Sequence, residues 1–138
     1  MARITDIAQQ FFDALESGKG WEMCQIYCTP DASFATQSER MGNFSTLRDY
    51  ATACARFLQI CPNAHYIVKS FATDEERNNV CAYAVITATH SEEGGPCPPT
   101  GKTTTTDYVY CMDFVDDKIR HMTKIWNPGW AMKELGWT

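Results

Sequence analysis

The apolar residues of this chain change their period once, near residue 62, and that change restricts the fold more than any other feature. Before it, apolar side chains recur at three- and four-residue steps; after it, they alternate. Residues 4–17 carry Ile4, Ile7, Ala8, Phe11, Phe12 and Leu15 at helical spacing, with Thr5 or Asp6 available as a cap and Gly18 after the last turn. A second short helix is expected from Trp21 to about Tyr27, followed by a turn at Pro30-Asp31 and a short strand over Ala32–Thr36. A third helix starts at Thr46, carries Leu47, Tyr50, Ala51, Cys54, Phe57, Leu58 and Cys61, and stops at Pro62-Asn63.

Four strands are then expected, over Ala64–Thr73, Val80–His90, Lys102–Val115 and Ile119–Asn127. Polar turns separate them, except for a loop rich in Gly and Pro over residues 91–101, and a short helix over Trp130–Leu135 precedes Gly136. Helices followed by an antiparallel meander predict an α+β fold, not alternating α/β. No repeat or linker divides the 138 residues, so residues 1–138 read as one domain.

Charge and cysteine usage narrow the partners. Twelve Lys+Arg against seventeen Asp+Glu give a net charge of −5 with no basic run, which argues against nucleic acid or an anionic membrane as partner. No stretch approaches the roughly 18 apolar residues that cross a bilayer. The first ten residues open as a polar helix without an apolar secretory core, so the expected location is the cytoplasm. The seven cysteines include no C-x-x-C, and Cys24 and Cys28 have no second ligand pair at zinc-site spacing. They read as thiols in a reducing compartment, with no metal expected, and Cys97 is the one placed in a loop. No glycine pattern of a phosphate-binding loop occurs, and no cofactor is expected.

Five motifs carry a family resemblance. They are the run Phe11-Phe12-Asp13-Ala14-Leu15-Glu16-Ser17-Gly18-Lys19; Tyr27-Cys28-Thr29-Pro30-Asp31-Ala32-Ser33-Phe34; Pro99-Thr100-Gly101-Lys102-Thr103; Phe114-Val115-Asp116-Asp117-Lys118-Ile119; and the ending Lys124-Ile125-Trp126-Asn127 with Leu135-Gly136-Trp137. In this order they resemble the NTF2-like fold, most closely its SnoaL-like, polyketide cyclase-like branch. The resemblance implies a cone: a curved, mainly antiparallel sheet wrapped around three N-terminal helices, with a short C-terminal helix. It also implies a homodimer formed through the convex sheet face. It does not fix an activity, because this fold hosts isomerases, dehydratases, epoxide hydrolases, cyclases and non-enzymatic dimers.

Alternation divides each long strand into two faces. Tyr108, Tyr110, Met112 and Phe114 share one, Asp107, Val109, Cys111 and Asp113 the other; Arg120, Met122, Lys124 and Trp126 oppose Ile119, His121, Thr123 and Ile125. Placing the Asp-Lys-Ile turn on the SnoaL-like pattern puts the cyclases' acid/base positions at Tyr110 and Lys124. Where those cyclases resemble one another in carrying His or Asp and then Asp, this chain has Tyr and Lys. Such a pair works either through a phenolate favoured by the lysine, or through a lysine whose own pKa burial lowers. His90 shares a face with Ala82, Ala84, Ile86 and Ala88, and is expected near the mouth of a pocket. Tyr108, Met112, Trp126, Phe11 and Ile86 would line it. Asp107 and His121 are expected to pair across neighbouring strands. A ketosteroid-isomerase-like mechanism is disfavoured, because the corresponding positions hold Phe11 and Thr36. The expected function is thus a cofactor-independent cyclase, isomerase or dehydratase acting on a hydrophobic, carbonyl-bearing small molecule. The alternative is a non-catalytic small-molecule-binding or dimerisation module.

Overall fold

A computed structural model describes residues 3–38 and 43–138. Its elements are α1 (Arg3–Glu16), α2 (Gly20–Cys24), a 3-10 turn (Gln25–Tyr27), β1 (Cys28–Thr36), α3 (Leu47–Ile60), β2 (His65–Asp74), β3 (Asn79–Thr89), β4 (Thr103–Val115), β5 (Lys118–Trp126) and α4 (Pro128–Leu135). The fold is α+β, as the change of period predicts. Local chemistry explains the boundaries. The Thr46 hydroxyl accepts from the Asp49 N–H at 3.1 Å and opens α3. Asn127 caps α4 in the same way, through Trp130 N–H at 3.1 Å. That helix begins two residues earlier than expected, because Pro128 fits its first turn. Gly136, at φ +77°, ends it in the left-handed region. The expected second helix tightens into the 3-10 turn after Cys24.

The sheet runs β1-β5-β4-β3-β2. Strands β2 to β5 form the antiparallel meander, and β1 adds to its free edge parallel to β5, so the sheet is mixed. One correction concerns β5. A register shift opposite Asp113 and Phe114 leaves Arg120 unpaired, so Ile119 turns inward with Met122 while Arg120 is exposed. Simple alternation had put Arg120 on the inner face. Asp107 and His121 do not pair either. His121 lies across from Asp113, and its ring bonds Ser33 (2.7 Å) and Thr123 (3.0 Å), while Asp107 accepts from the Tyr83 hydroxyl at 2.9 Å. Among the described residues no helix is long and apolar enough to cross a membrane.

The core lies between α1 and the inner sheet face. Phe12 is fully buried and touches the rings of Tyr66, Phe71, Tyr108 and Tyr110, with centroids 5.2–6.3 Å away. Small residues on β3, Ala82 and Ala84, let the helix approach. Phe12→Ala is expected to cost about 3–5 kcal/mol, read as a fall in the urea midpoint. A loss under 1 kcal/mol would show that α1 does not anchor the sheet.

Candidate active site

Where α1 ends, the inner sheet face is left open. A cavity of about 200 Å³ sits there, bounded by α1, α3, β3–β5 and α4. Tyr108 and Tyr110 from β4, Lys124 and Trp126 from β5, Ile86 from β3 and Tyr50 and Cys54 from α3 line it. Its remaining walls are largely apolar, with Phe57, Leu58, Leu135 and Trp137 among them.

The residue that sequence reasoning passed over is Glu16. It is the last residue of α1 and faces this cavity. Its carboxylate accepts from the Tyr108 hydroxyl through Oε1 and from the Tyr110 hydroxyl through Oε2, the latter at 3.3 Å. The Tyr110 and Tyr50 hydroxyls are 2.6 Å apart, and Lys124 Nζ donates to Tyr50 Oη at 2.8 Å. Since Tyr110 donates to Glu16 and Tyr50 accepts from Lys124, Tyr50 must donate to Tyr110. Every donor in the chain Lys124–Tyr50–Tyr110–Glu16 therefore points toward the carboxylate. The Lys124 ammonium also lies 4.0 Å from the Trp126 ring centroid and 5.3–5.7 Å from those of Tyr50, Tyr108 and Tyr110. A signal for Glu16 was present in the sequence. It follows Ile4, Ala8 and Phe12 at four-residue steps, so a carboxylate continues a buried apolar stripe.

Burial governs the electrostatics. It raises the Glu16 carboxyl above its ordinary 4.5, against the opposing Lys124 charge and the two tyrosine hydrogen bonds. It lowers Lys124 from 10.5, against the opposing influence of Cys54 and Glu16. The Tyr50, Tyr108 and Tyr110 hydroxyls are pushed above 10.0, first by burial and then by neighbouring acidic groups, and Cys54 is pushed up to about 12. Burial and the acidic neighbours thus disfavour a phenolate at Tyr110. The tyrosines are neutral donors, and the charged form of Lys124 is disfavoured by the same burial.

The other expected site residues separate. Tyr110, Lys124, Tyr108, Trp126 and Ile86 border the cavity. Met112 is fully buried beyond it, two residues further along β4, under the body of α1. Phe11 is fully buried in the core, because it sits about 100° around the helix from Phe12 and faces away from the open end. His90 is also fully buried and does not reach the cavity. Its Nδ1 accepts from Trp137 Nε1 at 2.9 Å, and its Nε2, without a partner, lies beside Gly95. His90 thus holds Trp137, which lines the cavity together with Trp126. Among the described residues no cluster of three or more His, Cys, Asp or Glu is disposed to hold a metal ion.

The raised Glu16 pKa has a consequence for stability. Protonated Glu16 favours the folded state, and that contribution is lost as pH rises from 4.5 through the folded-state pKa. Glu16→Gln is neutral throughout and escapes the loss. Urea midpoints measured from pH 4.5 to 8 should show the variant gaining on the wild type as pH rises. A difference that stays flat with pH would refute the buried-carboxyl assignment.

Comparison with known proteins places this chain in a family. The crystal structure of a SnoaL-like polyketide cyclase candidate from Jannaschia sp. CCS1 superposes with a TM-score of 0.79 at 16% identity, covering 99% of this chain and 93% of that one. IdmH, a polyketide cyclase candidate from Streptomyces antibioticus, gives 0.74 at 20% identity over 98% and 99% of the two chains. AclR, a hydroxylase candidate from Streptomyces galilaeus, gives 0.71 at 23% identity over 96% and 83%. These likenesses establish the NTF2-like fold. Among curated proteins, none matches the sequence. The family model for the SnoaL-like polyketide cyclase matches residues 6–135, nearly the whole chain, and the protein belongs to that family.

Proposed function

We propose that this protein is a cofactor-independent SnoaL-like enzyme that moves a proton beside the carbonyl group of a hydrophobic small molecule, as in cyclisation, isomerisation or dehydration. The observation that carries this reading is the Glu16 carboxylate, held at the edge of an apolar cavity by two tyrosine hydroxyls and joined through Tyr50 to Lys124. A carboxyl with a raised pKa is a stronger base than a solvated one and is tuned for carbon-bound protons near neutral pH. Glu16 takes the α-proton. Tyr110 and Tyr108, neutral and preorganised, hold the carboxylate by donating their single hydroxyl protons to it, and once Glu16 carries the proton the hydroxyl it releases turns to the charge on the substrate oxygen. Trp126, Ile86 and Leu135 shape the space around the substrate. At about 30 Å³ per water the cavity has room for roughly seven waters, which suits a compound of one or two rings.

The binding-module reading draws on a different observation. The two positions where related cyclases carry acidic or basic catalytic groups hold Tyr110 and Lys124, so the inherited carboxylate is missing from both strands. Glu16 places a carboxylate in the same cavity from the helix side, which favours the enzyme. We further propose that two copies pair through the outward sheet face. There Tyr83, Val109 and Ile125 form one cross-strand row, with Ile125 59% exposed. Sedimentation should give a dimer mass for the wild type and a monomer mass for Ile125→Glu. A wild-type monomer would refute the pairing.

The enzymatic reading is tested with 2-tetralone as a bicyclic ketone probe. The wild type should accelerate solvent-deuterium exchange at its α-carbons above the buffer rate, followed by NMR. Glu16→Gln should slow the catalysed exchange about 10²–10⁴-fold, and Tyr110→Phe should also lower it with the fold intact by circular dichroism. Exchange at the buffer rate, combined with thermal stabilisation by tetralone, would overturn the enzymatic reading in favour of a binding module.

A further inference from the structure

We propose that Lys124 is an amine nucleophile, which forms a Schiff base with the carbonyl carbon of a hydrophobic ketone or aldehyde held in the cavity. The inference rests on the reading of that cavity as the reaction chamber and names the covalent step within it.

Position comes first. Lys124 lies on the inner face of β5, in the middle of the strand, and lines the cavity. Its stem is held by the sheet, and its Nζ is fixed between the Trp126 ring at 4.0 Å and the Tyr50 hydroxyl at 2.8 Å. The ion pairs formed among the described residues are Arg3–Asp117 and Arg77–Asp74, both on the surface, so no carboxylate directly neutralises Lys124. Glu16 is reached only through Tyr110 and Tyr50. An ammonium ion is not a nucleophile. Burial disfavours the charged form of Lys124, against the attraction of the Trp126 ring for the ammonium, so this lysine gives up its proton more easily than a solvated one.

The hydroxyl chain makes the proton count close. Its donors all point from Lys124 to Glu16. One concerted shift along it therefore converts the ammonium and carboxylate into a neutral amine and a carboxylic acid, and burial pushes both groups that way. The amine nitrogen attacks the carbonyl carbon to form a C–N bond, and an N–H proton moves to the alkoxide to give a carbinolamine. The carbinolamine hydroxyl then leaves as water, taking one proton that Glu16 returns through Tyr110 and Tyr50. The products are a protonated imine on Lys124, a water molecule and an ionised Glu16. No oxidant, reductant or metal enters the balance. The ionised Glu16 is then the base that removes the α-proton, giving an enamine and restoring the acid. The enamine is the carbon nucleophile that a ring closure requires, and hydrolysis releases the product. The substrate class follows: a ketone or aldehyde bearing an α-hydrogen, unhindered enough at its carbonyl carbon for a lysine to approach.

The test is reductive trapping. The full-length protein is incubated with 2-tetralone and sodium cyanoborohydride and analysed by intact and peptide mass spectrometry. One reduced adduct per chain is expected, on the peptide carrying Lys124, with the surface lysines Lys19, Lys69 and Lys133 unlabelled under the same exposure. Lys124→Met, which keeps a stem to pack on Trp126, should lose the adduct, as should Lys124→Arg, which keeps the charge. Peptide mapping in the wild type needs no variant to fold. Absence of label on Lys124 overturns the proposal, as does labelling confined to surface lysines. If α-proton exchange persists in that same sample, the acid–base reading survives without the amine. If exchange is absent too, both fall.

Discussion

A mismatch of lengths organises this protein. Strand β4 has thirteen residues and spans about 44 Å, at ~3.4 Å per residue. Helix α1 has fourteen and spans only about 21 Å. The helix packs Phe12 against Tyr108 and Tyr110 and ends at Glu16, so the half of the sheet beyond that point, toward Thr104, stays uncovered. That uncovered half must be closed by other elements. Helix α3 and the C-terminal segment with α4 supply walls, and the gap between them is the cavity. The site is therefore a consequence of how far a helix of this length reaches, and its polar end group falls where the cover stops.

Burying a carboxylate and a lysine in one apolar chamber costs free energy unless their polar atoms are satisfied. Here three tyrosines satisfy them. Two hydroxyls donate to Glu16, one accepts from Lys124, and the middle link joins the two sets. Because desolvation moves the acid up and the base down, the neutral and the charged forms of the pair approach one another in energy. A structural ion pair would sit in direct contact and hold both charges. Here two phenols stand between the lysine and the carboxylate. His90 belongs to a different layer of the structure. It holds Trp137 in the cavity wall from behind, and its burial beneath the loop that contains Gly95 explains why it contributes no group to the chamber.

Much of this was legible in the chain. The change from helical to alternating period located every long element, and the caps at Thr46 and Asn127 and the stop at Gly136 are side-chain and backbone chemistry written locally. Alternation grouped Tyr108 with Tyr110 and Lys124 with Trp126 on their own strands, the family resemblance put both groups on the pocket face, and they lie directly across from one another with no bulge between them. Alternation failed at Arg120, where one extra residue reversed the parity of the strand end, and it could not foresee that Asp113, not Asp107, lies across from His121. Register depends on the turn and the bulge together, which alternation does not see.

The sequence by itself determined which elements form and, away from the bulge at Arg120, which of their residues share a face, since both follow from spacing along a single helix or strand. Its motifs, through the family resemblance, implied that a lysine and tyrosines would share one face of the sheet. It could not determine that Glu16 and Tyr50, on two separate helices, would complete a hydrogen-bonded chain with residues 94 and 74 positions away. Nor could it separate Met112 and Phe11, which are core, from Tyr108, which borders open space. Those distinctions were decided by tertiary structure, because facing inward is a property of one element, whereas lining a cavity depends on where its neighbour ends.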